Sequence, residues 1–177
     1  MMAILPWKEL KREQVYKKYA WDIDRVDFLM PRGNKADFYI NNARPAAAVV
    51  ALTDNNEIIL ARQFRPGPGK VLNELPGGYL DPGENALESI GREFREETGY
   101  EGEFVEIGTC LDDAYSTMER HCFVATNCKK VGEPQDTDTE QTELVLMPLD
   151  EFRQQLRSGQ MTDIEVAYLA LDYLGKL

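Results

Sequence analysis

The sequence predicts an α/β fold in which helices pack on the faces of one mixed β-sheet. Its 177 residues are the usual length of a single domain. A content of 43% hydrophobic and 29% charged residues is ordinary for a chain with a folded core. Runs of β-forming residues come first, a helical segment follows, and further β runs and two helical segments complete the chain. That order is typical of a mixed sheet covered by helices.

The N-terminal part predicts a polar arm followed by a β-hairpin. Residues 8–19 mix Lys, Arg and Glu with few apolar side chains, so we expect a polar arm or a frayed helix there. Between residues 21 and 40, alternating apolar and polar residues flank the turn signal Pro31-Arg32-Gly33-Asn34, which predicts two strands joined by a turn. We therefore assign residues 1–42, approximately, to an arm and hairpin that extend a core formed by about residues 43–177.

The core begins with a second predicted hairpin and a passage rich in glycine and proline. The β-rich runs 46–53 and 57–64 are joined by Asp54-Asn55-Asn56, residues that tolerate the positive φ of a tight turn. Gly and Pro residues stand on both sides of residues 71–75, so a helix cannot continue through this passage.

A helix is predicted after Asp81-Pro82-Gly83 and is expected to end at Gly99, because glycine suits the left-handed position past a helix C-terminus. The remaining elements follow from the same periodicities. They are strands at 104–111, 120–125 and 142–147, a helix at 149–157 that stops at Gly159, and a last helix over 166–174. The last helix follows Thr162-Asp163-Ile164-Glu165, whose spacing predicts a capping box.

Charge and composition argue against several classes of protein. The net charge of −11 disfavours a broad surface for nucleic acid or anionic membrane, and an anionic substrate would need bridging cations. His121 is the single histidine, which argues against Ser-His-Asp or Cys-His catalysis and excludes multi-histidine metal sites. Three cysteines without a disulfide spacing predict free thiols. With no signal-peptide pattern and no apolar run of membrane length, we expect a cytoplasmic protein.

The predicted central helix carries a cluster of carboxylates. Glu93, Glu96 and Glu97 share one arc of the helix, beside an apolar stripe that includes Ile90 and Phe94. Like charges at this spacing destabilise a helix, and a bound divalent cation would offset the repulsion. Oxygen ligands without histidine or thiolate suit Mg²⁺, with Mn²⁺ as a substitute. A solvated acidic face is the alternative reading.

The spacing around these glutamates resembles the Nudix box. Five residues separate Gly78 from Glu84, seven more lead to Arg92, and the chain then reads Arg92-Glu93-Phe94-Arg95-Glu96-Glu97-Thr98-Gly99-Tyr100. Every fixed position matches; Tyr100 stands where the family prefers an aliphatic residue. The resemblance implies a Nudix-type α/β/α sandwich that hydrolyses a nucleoside diphosphate linked to another moiety.

The resemblance also implies roles for individual residues. The ligands of Mg²⁺ would be Glu93, Glu97, the further ligand Glu96 and the carbonyl oxygen of Gly77. Arg92 would hold the loop through Glu84, and Arg92 and Glu96 would belong to the catalytic set. A carboxylate would orient water for in-line attack on phosphorus.

Motifs outside the box resemble the ADP-ribose/nucleotide-sugar pyrophosphatase branch. They are Arg62-Gln63-Phe64-Arg65, Glu74-Leu75-Pro76-Gly77-Gly78 and Gly159-Gln160-Met161-Thr162-Asp163. This resemblance implies that Arg65 and Glu74 contact substrate and that the protein is a homodimer. It also implies an acid in loop 136–143, where Glu140 is the first choice as base and metal ligand, before Asp138 and Glu143.

The substrate and the base-stacking residues stay open at this point. Trp21, Phe38 and Tyr39 are candidates to stack on a purine, and burial in the core is the alternative for each. The branch commonly carries Ser-Pro-Gly where this chain has Tyr115-Ser116-Thr117-Met118, so ADP-ribose and related ADP- or GDP-sugars all remain candidates. The competing functions are cleanup of nucleoside triphosphates or dinucleoside polyphosphates, and a non-catalytic nucleotide-sugar-sensing module.

Overall fold

The computed structural model describes residues 3–136 and 141–177. This part of the chain divides into two compact units. One contains the residues up to Arg44 together with Leu111–Glu119, and the other contains Pro45–Cys110 and Arg120–Leu177.

The first unit is built on a three-stranded antiparallel sheet in the order β1-β2-β3. The strands are β1 (Lys8–Lys18), β2 (Trp21–Leu29) and β3 (Lys35–Asn41). An aromatic cluster packs on this sheet, with ring centroids of Trp7 and Phe38 5.1 Å apart and those of Phe38 and Tyr115 6.2 Å apart.

The expectation of a polar arm or frayed helix over residues 8–19 is wrong. Every residue of β1 is exposed, yet the strand pairs along its length with β2, from Lys8 opposite Leu29 to Lys18 opposite Trp21. Backbone hydrogen bonds of the ladder, rather than burial of side chains, hold this strand. A pattern of hydrophobicity therefore carries no signal for it.

The second unit is a sandwich of helices around a mixed sheet, and the predicted α/β/α fold class is confirmed. Its described strands run in the order β10-β5-β4-β9-β8, with β6 on β5 and β7 on β4. Strands β4 and β9 are parallel, whereas β4 pairs antiparallel with β5 and β7. The bounds are β4 (Ala46–Leu52), β5 (Glu57–Arg65), β6 (Lys70–Glu74), β7 (Gly77–Tyr79), α1 (Ala86–Thr98), β8 (Tyr100–Leu111), β9 (Glu119–Lys130), β10 (Glu143–Pro148), α2 (Leu149–Ser158) and α3 (Ile164–Tyr173).

Strand β4 lies at the centre of the sandwich, and all seven of its residues are buried. Ala47, Val49 and Ala51 belong to the core cluster that includes Ile90 and Phe94 of α1. The alternate residues of β4 belong to the cluster that contains side chains of α2 and α3. Because successive side chains of a strand point to opposite faces, an uninterrupted apolar run is what a sheet covered on both faces requires.

Local capping fixes both ends of α1, and the sequence predicts the C-terminal one at Gly99. Asn85 and Glu88 form a reciprocal capping box at its start, and Gly99 ends it in the left-handed conformation. Gly159 ends α2 in the same way. None of the described helices is long and apolar enough to cross a membrane.

The predicted capping box at α3 is wrong. The helix is capped by Asp163 in the left-handed conformation, without a side-chain capping bond. The two side chains that the box requires have other partners: the Thr162 hydroxyl donates to Glu74 Oε1 at 2.6 Å, and Glu165 pairs with Arg120 at 2.7 Å. Tertiary contacts therefore override the local motif.

Candidate active site

Strand β7 and helix α1 meet at the two glycines of the predicted box. A Cβ on Gly77 would lie 2.1 Å from the backbone oxygen of Ala47, because β7 pairs closely with β4. A Cβ on Gly78 would lie 2.6 Å from Glu93 Oε1. The backbone of β4 therefore requires glycine at position 77, whereas a side chain at position 78 would displace the Glu93 carboxylate.

Glu97 is held against the loop by its two oxygens. Oε2 accepts a hydrogen bond from the backbone N–H of Gly77 at 2.9 Å, and Oε1 accepts a long one from Gln63 Nε2 at 3.5 Å. The Glu97 carboxylate therefore joins α1, β7 and β5 at a single point.

Arg92 organises the other carboxylates. Its guanidinium donates to both oxygens of Glu84, at 3.0 Å each. The Nη1 group also donates to Glu93 at 2.9 Å and to Glu96 at 3.2 Å. Glu84 Oε2 in turn accepts the backbone N–H of Asp81 at 3.0 Å, so the loop before α1 is tied to the helix.

This contact also sets the ionisation of Glu84. The hydrogen bonds from Arg92, followed by that from the Asp81 backbone, lower the pKa of Glu84 to about 2. The carboxylate is therefore charged throughout the neutral range, and its ion pair with Arg92 is present there.

The donor set fits a hard divalent cation. Glu93, Glu96 and Glu97 offer only oxygen atoms, which Mg²⁺ and Mn²⁺ prefer. Among the described residues, no three acidic, His or Cys side chains already converge as a metal cluster. Glu93 Oε1 and Glu96 Oε2 instead accept hydrogen bonds from Arg92 Nη1.

The predicted substrate residues Arg65 and Glu74 lie together on the β5–β6 hairpin. Arg65 Nε donates to Glu74 Oε2 at 2.5 Å, and the Glu74 side chain has no exposed surface. Trp21 and Tyr39 belong to the first unit, on β2 and β3, and are 59% and 58% exposed. Their exposure rules out the alternative that these two rings are buried in a core.

The acidic loop is only partly described. Asp138 and Glu140, the preferred loop acids, lie outside the described residues. Glu143, the third choice, begins β10, and its carboxylate pairs with Arg62 of β5 at 3.2 Å.

Two polar contacts at the site were not predicted from the sequence. Gln63 reaches Glu97 of α1, and Thr162 reaches Glu74 from the segment before α3. Both residues occur inside motifs of the branch, so the motifs marked the positions. The spacing within the motifs does not predict their partners, because Glu97 is 34 residues from Gln63 and Glu74 is 88 residues from Thr162.

Comparison with known proteins places the chain in a family. The NUDIX domain model matches residues 42–166, and the chain therefore belongs to the Nudix family. It is 29% identical to the methanol dehydrogenase activator of Bacillus methanolicus, over 94% of this chain and 91% of that protein. It is 28% identical to the ADP-ribose pyrophosphatase of Bacillus subtilis (strain 168), over 98% and 95% of the two chains.

Its fold is also similar to that of a solved structure. The crystal structure of an ADP compounds hydrolase covers the whole of both chains with a TM-score of 0.79 at 19% identity. The predicted Nudix membership and its ADP-ribose/nucleotide-sugar pyrophosphatase branch are confirmed, and the chain is a Nudix pyrophosphohydrolase.

Proposed function

We propose that the protein is a Mg²⁺-dependent hydrolase of nucleoside diphosphate sugars, either ADP-ribose or a related ADP- or GDP-sugar. It would cleave the pyrophosphate bond to give a nucleoside monophosphate and a sugar phosphate. The observation that carries the proposal is the joining of the box glutamates to the Gly77-Gly78 strand, with Glu97 bonded to the Gly77 backbone. Similarity along nearly the whole chain to a protein named ADP-ribose pyrophosphatase supports the substrate class.

The proposed metal ligands are Glu93, Glu96, Glu97, the Gly77 carbonyl and the loop acid Glu140. When bound, Mg²⁺ supplies positive charge that offsets the charge of the pyrophosphate and makes water easier to deprotonate. Arg92 supports this proposal because it pairs with Glu84, Glu93 and Glu96 and so keeps the three carboxylates close together. Arg92 would then keep the loop in place through Glu84, which stays ionised.

The remaining residues would bind substrate and move a proton. Arg65 would donate to the phosphates, while Glu140, or failing it Asp138, would accept a proton from the attacking water. Trp21 and Tyr39 offer exposed rings on which a nucleobase can stack.

The first unit supports the proposal of a homodimer. Its sheet exposes large apolar side chains, including Val15, Tyr16, Trp21 and Tyr39, and an exposed apolar patch favours association. We propose that residues 1–42 extend the catalytic core 43–177 and that two chains associate. Light scattering during gel filtration should give twice the chain mass of 20.2 kDa, and a monomer would reject the dimer.

The function is tested with a substrate panel in the presence of Mg²⁺. ADP-ribose, ADP-glucose, GDP-mannose, diadenosine polyphosphates and oxidised dGTP would be incubated with the protein and the products identified by mass. We expect a nucleoside monophosphate and a sugar phosphate from at least one nucleotide sugar. Preferential cleavage of the triphosphate or the diadenosine compounds would favour the house-cleaning alternative. Binding without cleavage of any compound would favour the sensing module.

Hydrolysis in ¹⁸O-labelled water would show which phosphorus is attacked. The label would appear in the nucleoside monophosphate if the nucleotide phosphorus is attacked, and in the sugar phosphate otherwise.

A further inference from the structure

Glu74 is a charged side chain buried in the second unit, and both of its oxygens accept hydrogen bonds. Oε2 accepts from Arg65 Nε at 2.5 Å and Oε1 accepts from the Thr162 hydroxyl at 2.6 Å. A buried carboxylate is stable only when such donors satisfy it. With no exposed surface, Glu74 is better placed to hold Arg65 than to contact a substrate.

The contact uses one edge of the Arg65 guanidinium. The Arg65 side chain is 37% exposed. Within the described part of the chain, the Nη1 and Nη2 groups of Arg65 make no hydrogen bond. A guanidinium is planar, so fixing Nε also fixes the direction of the two Nη groups. Arg65 is thus anchored at one edge and presents two donors at the other.

Arg65 also shares a strand face with the candidate metal site. Residues i and i+2 of a strand point to the same side, and Gln63, two residues before Arg65, contacts Glu97. The anchored guanidinium therefore lies on the side of β5 that faces the box glutamates.

The position of Thr162 is fixed by ion pairs on the residues that follow it. Arg120 pairs with Asp163 at 3.0 Å and with Glu165 at 2.7 Å. These contacts hold the start of α3 in place. Asp163, and not Thr162, is the N-cap residue of this helix, and its side chain forms no capping hydrogen bond. The Thr162 hydroxyl is directed at Glu74 instead.

We propose that Thr162 and Glu74 are positioning residues that orient Arg65 toward the diphosphate of the substrate. The Thr162 hydroxyl fixes the Glu74 carboxylate, the carboxylate fixes Arg65 Nε, and the Nη groups donate to phosphate oxygens. This inference rests on the proposed function, since it takes a diphosphate compound as substrate. It gives the Gly159–Asp163 motif of the branch a physical role.

The test is a double-mutant cycle between Thr162→Val and Arg65→Lys. Valine matches the shape of threonine without the hydroxyl, and lysine keeps the charge of Arg65 without its planar fork. In the parent background, Thr162→Val should raise KM for the cleaved nucleotide sugar about tenfold and leave kcat within about twofold, since the lost hydrogen bond is to a charged group. In the Arg65→Lys background, Thr162→Val should change KM by less than about twofold.

Two further variants separate positioning from general packing. Thr162→Ser keeps the hydroxyl and should recover the KM of the parent. Gln155→Met removes a 2.7 Å hydrogen bond from α2 to the backbone of Asn73, the residue before Glu74. It should leave KM unchanged, although its effect on the melting temperature should be similar to that of Thr162→Val.

Several results would overturn the proposal. One is an equal rise in KM on Thr162→Val in both backgrounds, and another is no rise in the parent. A fall in kcat with KM unchanged would also overturn it. If Thr162→Val does not fold, the isosteric Glu74→Gln variant replaces it in the same cycle under the same criteria.

We call the hydrogen-bonded series from Thr162 through Glu74 to Arg65 the relay. Calorimetric measurement of inorganic pyrophosphate binding distinguishes failure of this relay from failure of the proposed function. This probe needs no turnover, so the cycle can be measured even if the parent cleaves no nucleotide sugar. Weaker binding on Thr162→Val in the parent only would then support the relay while the proposed function fails. Unchanged binding beside an active parent would reject the relay alone.

Discussion

Two charged clusters of the second unit are held in opposite ways. Around Arg92, whose side chain is 31% exposed, one guanidinium donates hydrogen bonds to three carboxylates at once. Around Glu74, which is fully buried, one carboxylate serves two donors that lie on separate segments of the chain. The partly exposed Arg92 can exchange a partner for an incoming cation, whereas the fully buried Glu74 carboxylate keeps its two donors. We interpret the first as the part that reacts and the second as the part that positions.

The largest expected effect is on the reacting cluster. Glu97→Gln keeps the size of the side chain and can still accept from the Gly77 backbone, but it removes a charge proposed to hold Mg²⁺. We expect kcat to fall by orders of magnitude with an unchanged circular dichroism spectrum. Glu101→Gln, which alters an exposed pair with Arg95, is the matched control and should keep the activity of the parent. Equal Mg²⁺-dependent activity of Glu97→Gln and the parent would reject the assignment.

An intermediate effect is expected from Gly78→Ala. The new Cβ would meet the Glu93 carboxylate, the far end of a flexible side chain, which can move aside without unfolding the protein. We expect at least about a tenfold loss in kcat/KM through displacement of Glu93, a proposed metal ligand, with a shift in melting temperature of only a few degrees. Gly132→Ala, whose Cβ would meet nothing within 4 Å, should leave activity unchanged. A large loss of stability with normal activity per folded molecule would contradict the role given to Glu93.

The smallest effect concerns pH and the loop pair. Arg92 lowers the pKa of Glu84 to about 2 from an ordinary value of 4.5. The depressed value means that the pair stabilises the folded state above about pH 4.5 and that this contribution is lost as pH falls toward 2. Because the pair is partly exposed to solvent, we expect less than about 1 kcal/mol. Urea unfolding measures the free energy of unfolding at pH 5 and at pH 3. Its decrease from pH 5 to pH 3 should be smaller for Glu84→Gln than for the parent. An identical loss in both proteins would show that the pair does not contribute.

The sequence predicts those features that depend on nearby residues. Helix α1 is identified by its periodicity and by Gly99, and the structure adds the reciprocal cap of Asn85 and Glu88. The spacing from Gly78 to Glu97 marks the candidate site because its glycines and glutamates meet within one loop and one helix.

Features that depend on distant partners were missed. Strand β1 is held by pairing with β2 and shows no pattern of burial. The capping box at Thr162 satisfies a local rule, yet Glu74, 88 residues away, takes the hydroxyl. Arg120 likewise takes Glu165. A local motif is not formed when its donor instead hydrogen-bonds to a buried carboxylate that would otherwise lack a partner. The burial of that carboxylate is a property of the folded chain and cannot be predicted from the motif.

The most direct test of the account is a crystal structure with Mg²⁺ and a non-cleavable methylene analogue of ADP-ribose. We predict an ion bound by Glu93, Glu97 and the Gly77 carbonyl, with the Nη groups of Arg65 on a phosphate and Nε still on Glu74. A structure in which the analogue is bound, Glu93 remains on Arg92 and no ion lies among the box glutamates would contradict the account.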